Sequence, residues 1–356
     1  MEPEAQYPTS RRLAVVLLSL FLGTFLVAID TTIVSVAIPK ISTQFHALDD
    51  VGWYGSAYLI TITALQPAGG TLYKFFDAKI VYLTAIVIFE AGSALCAAAP
   101  SSPVFILGRA VAGSGAALLI QGAISIITNV SGLEKRPLYI GLVVSCFGIS
   151  ASFSPILGGA LTVRASWRWC FWINLPIGAV VFGLVTLGLK VKSRAAAIKD
   201  LPVLKKLKQL DPMGIIVFFG SISCLFLALQ WGGSRYSWSS SKVIGLFVGF
   251  GTLSIVFGIL QYCLGERATL PLRMLRDRTV VYGALSLFFI SLSSNIKLYY
   301  LPFYFQAVQG GSALRSGVEF LALAVPQVVA TVLAGGLATK SGHYVLLQIS
   351  AFSKIS

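Results

Sequence analysis

The sequence predicts an all-α fold, a polytopic bundle of membrane-spanning helices, on three observations. Ten separate apolar stretches run through its 356 residues, each near the roughly 20 residues that a helix needs to cross bilayer hydrocarbon. The chain is 56% hydrophobic and 11% charged, with a mean hydropathy of +0.84, whereas a soluble domain carries about 25% charged residues. Within the stretches, for example 81–98 and 243–260, there is no strand-like alternation of polar and apolar residues. In hydrocarbon every backbone polar group must be paired within the protein, so the choice lies between helices and a closed barrel, and the pattern selects helices.

The spans fall at 13–38, 52–72, 80–99, 104–128, 137–161, 171–189, 212–230, 243–263, 279–305 and 316–339. Basic residues in the connections set their orientation. With the N-terminus in the cytoplasm, nineteen of the 27 Lys and Arg residues fall on the inner side and six on the outer side, Arg109 and Lys297 lying within spans. The inner set includes Arg11 and Arg12, Lys135 and Arg136, and seven lysines and arginines of the loop 190–211. This partition also accounts for the net charge of +14. The positive charge fixes topology and meets anionic headgroups, which excludes nucleic acid as a partner. The first stretch is too long for a signal-peptide core and is read as a retained helix. The five cysteines show neither metal-ligand spacing nor a disulfide framework.

The domain organisation follows. Residues 1–11 form a cytoplasmic tail, 12–189 a six-helix bundle, 190–211 a basic linker, 212–263 two further spans, 264–278 a cytoplasmic loop, and 279–356 two helices of a second bundle. The linker is either an amphipathic segment around 201–210 on the membrane face or a solvated loop broken by Pro202 and Pro212.

Four charged residues sit within or at the edge of spans: Asp30, Glu90, Arg109 and Lys297. Ionisable groups at that depth are costly and mark ion or substrate pathways. A carboxylate that accepts a proton beside an arginine that modulates it would couple proton entry to transport. The alternative for each is a structural ion pair or a snorkelling side chain. Aromatic candidates for a cavity wall are Trp53, Tyr54, Tyr58, Tyr299, Tyr300 and Phe303, with Gln121 and Asn295 as polar members; aromatics at such places also form interface belts. His46 and His343 are the only histidines, one in an outer loop and the other at the inner C-terminus, and there is no metal set or nucleotide-binding loop. These features argue against an enzyme, and leave an ion gradient as the energy source with no cofactor.

Several of these residues lie in longer patterns. Residues 26–39 (LVAIDTTIVSVAIP), 107–116 (LGRAVAGSGA), Gly148 with 154–159 (SPILGG), 167–178 (WRWCFWINLPIG) and 299–308 (YYLPFYFQAV) occur in that order, on the first, fourth, fifth, sixth and ninth spans. Together they resemble the fourteen-spanning drug:proton antiporters of the major facilitator superfamily, and most closely fungal multidrug and toxin efflux pumps. The resemblance covers about residues 10–345. It implies that fold, with about ten of fourteen helices present, and proton-coupled efflux of small organic molecules by a monomer working in alternating access. It also implies a proton-coupling role for Arg109, which Asp30 and Glu90 join on the strength of their charge within the spans, and helix-5 packing through Gly148, Ser154, Pro155, Gly158 and Gly159. An inner gate would contain Gly70, Lys74, Asp77 and Lys79. Two departures stand out. The family has glycine where this chain has Ser154, and the gate segment 70–79 (GTLYKFFDAK) keeps the acid and basic residues of the pattern while its glycine and arginine pattern is degraded. The plasma membrane is the expected location, with the vacuole as the alternative. Because the second bundle is short by four helices, a non-transporting relic or a regulatory partner of a longer transporter is a competing reading, as is a siderophore transporter.

Overall fold

The computed structural model describes residues 10–189, 211–265, 268–270, 272–308, 325–337 and 339. The helices are α1 Ser10–Phe45, α2 Val51–Phe75, α3 Ala78–Ala98, α4 Ser102–Val130, α5 Arg136–Arg164, α6 Trp169–Trp172, α7 Asn174–Gly188, α8 Pro212–Trp231, α9 Ser241–Leu264, α10 Arg278–Ala307 and α11 Val325–Leu337. No strand occurs among the described residues, whose one β-type contact is an isolated bridge between Gly232 and Tyr236. The linker 190–210, including the expected amphipathic piece, lies outside the described residues, as does 309–324 at the start of the tenth expected span.

Local chemistry sets the helix starts. The side chains of Asp77, Asp211, Ser240 and Asp277 accept backbone N–H groups at the beginnings of α3, α8, α9 and α10, satisfying donors with no partner in the first turn. Pro103, Pro137 and Pro212 sit in the first turns of α4, α5 and α8, where a missing N–H costs nothing. Two elements differ from the sequence expectation. Helix α1 continues through Pro39 for 36 residues, about 54 Å at 1.5 Å per residue. The hydroxyls of Ser42 and Thr43 donate to the Pro39 carbonyl at 3.0 and 2.8 Å, which supports the turn after the proline. The sixth span opens with the single turn α6, joined to α7 through Ile173, whose N–H donates to the Trp169 carbonyl at 3.1 Å.

Eight helices among the described residues are long and apolar enough to cross a membrane. Helix α2, with 25 residues, carries Tyr54, Tyr58 and Thr61, all buried inside the bundle. The protein is a multi-pass membrane protein. Helices α1 to α7 pack together, α3 and α2 lying against α4 and α1 against α5 and α7. At the α3–α4 crossing a side chain at Gly92 would run into the Ala112 backbone, and one at Gly115 into that of Phe89; small residues there let the two backbones touch. The apolar core has two parts. One gathers Leu20, Val27, Tyr82, Phe89 and Leu119, the other Ile33, Tyr54, Phe105, Trp167 and Phe171. Helices α8 and α9 form a hairpin that leans on α2, where Trp231 meets Trp53 with ring centroids 6.4 Å apart.

Candidate functional site

Between the two parts of the apolar core lies a buried polar cluster. Asp30 of α1 and Arg109 of α4 form an ion pair, Nη1 to Oδ2 at 2.6 Å, with side chains 0% and 1% exposed. Arg109 is held from three further directions. Its Nε donates to the Tyr54 carbonyl at 3.0 Å, and its guanidinium carbon lies 4.1 Å from the Tyr58 ring centroid and 5.9 Å from that of Phe171. The second oxygen of Asp30 accepts from Asn174 Nδ2 at 3.3 Å, and the same amide nitrogen donates to Ser93 Oγ at 3.2 Å. Five helices thus meet at one charge pair. Taking two charges out of water is expensive, and the arrangement is tolerable only because pairing and hydrogen bonds compensate both.

Glu90 lies on α3 one helical turn from Ser93. Both its carboxyl oxygens are buried and have no hydrogen-bond partner among the described residues. Its Oε1 fills the space where a side chain at Gly178 of α7 would stand.

The remaining candidates occupy several places. Tyr54 and Tyr58 belong to the Arg109 cage; the Tyr54 hydroxyl donates to Ser102, whose hydroxyl donates to Asp50 at 2.5 Å. Trp53 faces Trp231 of the α8–α9 hairpin. Gln121 lies against Gly69 and Gly70 of α2. Asn295 and Lys297 are exposed on α10, where Asn295 donates to the Ser291 carbonyl at 2.8 Å. Tyr299, Tyr300 and Phe303 lie in α10, with side chains outside the described residues. On α5, Gly158 sits against Ile33 of α1, while Gly159 faces open space. Ser154 receives a hydrogen bond from Thr32 at 2.6 Å and shares one with Ser150 at 3.1 Å. Gly148 accepts from the Ser152 hydroxyl through its carbonyl, and Pro155 lies within the continuous α5. In the 70–79 segment, Asp77 caps α3, Lys79 Nζ donates to the Thr186 carbonyl at 2.6 Å, and Lys74 is exposed beside Phe75.

Sequence reasoning missed Asn174, Ser93 and Gly178 as members of the site. Asn174 was visible as a fully polar amide inside an apolar run, the one signal available. Sequence reasoning also missed a polar knot beneath the hairpin. Buried Asp211, in a left-handed backbone conformation, accepts from Gly214 N at 2.8 Å, Gln261 Nε2 at 2.7 Å and Thr269 Oγ1 at 3.1 Å.

The profile of the Major Facilitator Superfamily matches residues 20–355. The chain is a member of the major facilitator superfamily. It is 44% identical over 333 residues to the efflux pump aflT of Aspergillus parasiticus, covering 94% of this chain and 65% of that protein. It is 44% identical over 345 residues to the MFS-type transporter phomT of Diaporthe leptostromiformis, covering 97% and 58%. The MFS-type efflux pump MFS1 of Trichophyton rubrum is 46% identical over 336 residues, covering 94% and 62%. This member therefore spans less than two thirds of the length of these relatives. Among solved structures it is similar to the proton:xylose symporter XylE (TM-score 0.60, 16% identity, covering 93% of this chain and 70% of that one). It is also similar to the human organic anion transporter MFSD10 (TM-score 0.59, 15% identity, 92% and 72%). At such identities these two likenesses speak for the superfamily fold alone.

Proposed function

We propose that the protein serves proton-coupled secondary efflux of small, largely apolar organic molecules such as drugs, toxins or secondary metabolites. It would work as a monomer by alternating access, in the plasma membrane with the N-terminus in the cytoplasm. The observation that carries this reading is the Asp30–Arg109 pair, shut away from solvent and caged by Tyr54, Tyr58 and Asn174. A carboxylate with a fixed cation beside it, deep in a transporter bundle, is a group whose protonation changes what the helices hold together. Asp30 is the proton acceptor in this reading, Arg109 the group that sets its protonation, and Glu90 a further carboxyl of the same region. Similarity to fungal proteins named as efflux pumps supports the export direction.

The test is efflux of a fluorescent apolar cation from proteoliposomes carrying the full chain, with and without an imposed proton gradient. Gradient-dependent export in the wild type, lost in Asp30→Asn, is expected. Export of equal rate after the gradient is collapsed by a protonophore would refute proton coupling.

A further inference from the structure

The Asp30 region contains one cation and two carboxyls. Asp30 takes Arg109 entirely: one oxygen meets the guanidinium at 2.6 Å and the other the Asn174 amide. Among the described residues Glu90 is left with neither a cation nor a hydrogen-bond donor, and its oxygens lie against the Gly178 face of α7. A carboxylate ion whose oxygens are covered by apolar surface and have no partner is too costly to persist, and such a group neutralises instead. An organic cation cannot reach atoms that are fully covered; a proton can. The acceptor side is also prepared. Asn174 Oδ1 is buried and has no donor among the described residues, and Asn174 stands one turn from Gly178 on the same helix, as Ser93 does from Glu90 on α3.

The titratable groups that neighbouring elements bring to this part of α3 are few. They are Asp30 on α1, Arg109 on α4, Tyr58 on α2 and Cys170 on α6, with Tyr82 and Cys96 on α3 itself. Helix α7, residues NLPIGAVVFGLVTLG, supplies none. Together with Glu90 itself, the described residues there hold one cation and two carboxyls.

We propose that Glu90 and Asp30 share a single proton around Arg109: Glu90 carries it while Asp30 is ionised, and the two exchange roles when the Arg109–Asp30 pair opens. The exchange moves one proton. The Glu90 O–H bond breaks, an O–H bond forms on Asp30, and Glu90 is left as the carboxylate that balances Arg109. The site is electrically neutral in both arrangements, whereas two ionised carboxylates would leave it at −1 and two neutral ones at +1. In hydrocarbon the neutral arrangements are strongly favoured. Asn174 is the positioning residue between the two acids, donating to Asp30 and offering its oxygen to the protonated partner. This inference rests on the reading of Asp30 and Arg109 as the proton-coupling pair.

The test reads protonation directly and needs no transport. In lipid nanodiscs at neutral pH, where exposed carboxyls are ionised, the infrared stretching band of neutral carboxyl groups counts the buried protonated acids. The wild-type chain is expected to show one such group. Glu90→Gln removes it. Asp30→Asn also removes it, because Glu90 becomes the only counter-ion for Arg109. Arg109→Gln doubles it, since neither acid then has a cation. Persistence of the band at wild-type intensity in Glu90→Gln, or in Asp30→Asn, would overturn the shared proton. So would a wild-type chain with no band. Size-exclusion profiles confirm that each variant is folded before it is scored. A negative result leaves gradient-driven efflux to be judged by its own assay, and loss of gradient dependence there leaves the band count unaffected.

Discussion

Replacing Arg109 with glutamine isolates what the buried cation does for the fold. Both partners of the ion pair are out of contact with solvent, so no screening discount applies to the loss. Without the guanidinium, Asp30 has two options. It stays ionised in an apolar site at a cost of several kcal/mol, or it takes a proton. Protonation costs about 1.4 kcal/mol for each pH unit above an ordinary aspartate value of about 3.9, or about 5 kcal/mol at pH 7.5, and the cheaper option sets the ceiling. The loss of the bond to the Tyr54 carbonyl adds about 1 kcal/mol, partly recovered by the glutamine amide. The expected penalty at pH 7.5 is therefore about 3–5 kcal/mol, the range for breaking a buried pair from one side. The sign with pH follows from linkage. The folded variant holds a proton that its unfolded state lacks, so the variant gains stability as pH falls, by about 1.4 kcal/mol per unit until the unfolded state is protonated too. Reversible unfolding in mixed micelles at pH 7.5 and 5.5 measures this, and the gap to wild type should narrow by about 3 kcal/mol. A penalty under about 1 kcal/mol at pH 7.5, or one that does not change between the two pH values, would mean that the pair is solvated and that the argument fails.

Three further outcomes are expected. Asp211→Ala removes the acceptor for Gly214 N, Gln261 and Thr269 and should cost about 2–4 kcal/mol; hydrogen exchange should quicken at the start of α8 and the end of α9 but not in α3 or α4. Ser154→Gly loses the bonds to Thr32 and Ser150, a loss of about 2 kcal/mol once the extra backbone freedom of glycine in a helix is included; thermal unfolding in detergent reads it, and an unchanged midpoint would show that the hydroxyl cluster carries no net stability. Lys242, exposed in the first turn of α9, donates through its ammonium to the hydroxyl of Tyr236 in the preceding connection at 3.1 Å and holds that phenol below its ordinary titration range; alkaline absorbance titration should show one tyrosine ionising ahead of the others, and Lys242→Met should abolish that early phase.

Much of this was legible in the sequence because charge is rare in it. Asp30 and Arg109 each interrupt a long apolar run, and membrane physics makes such an interruption meaningful on its own. Their pairing was not legible, since 79 residues separate them and only the packing of α1 on α4 brings them together. Glu90 was visible for the same reason as Asp30, but its isolation was not: that depends on a glycine of α7 lying opposite, and Gly178 reads as ordinary small-residue packing. Asn174 stands at the first position of α7, where a polar residue resembles a helix start; its side chain instead turns inward to Asp30. Asp211 was read as the last residue of a polar linker, and nothing in the local sequence signals that Gln261 and Thr269 return to meet it. The overrun of α1 past Pro39 has a local cause, because Ser42 and Thr43 both bond back to the proline's carbonyl and keep the turn closed.

The cage around Arg109 decides which member of the pair is free to change. If Asp30 becomes neutral, the guanidinium keeps its bond to the Tyr54 carbonyl and its place over the Tyr58 and Phe171 rings, so the cation stays fixed on α2 and α4. Asp30 keeps only the weaker contact from Asn174. Its helix, however, is tied elsewhere: Thr32, two residues on, bonds to Ser154 and Ser150, and Ile33 rests on Gly158. A change of charge at Asp30 therefore loosens α1 from α4 while leaving it attached to α5. Asp30→Asn mimics that neutral state. Crosslinking between cysteines introduced on the α1–α4 and α1–α5 faces would then fall at the first interface and hold at the second. An equal fall at both would mean that α1 answers to protonation as a free helix, and that the hydroxyl cluster on α5 does not anchor it.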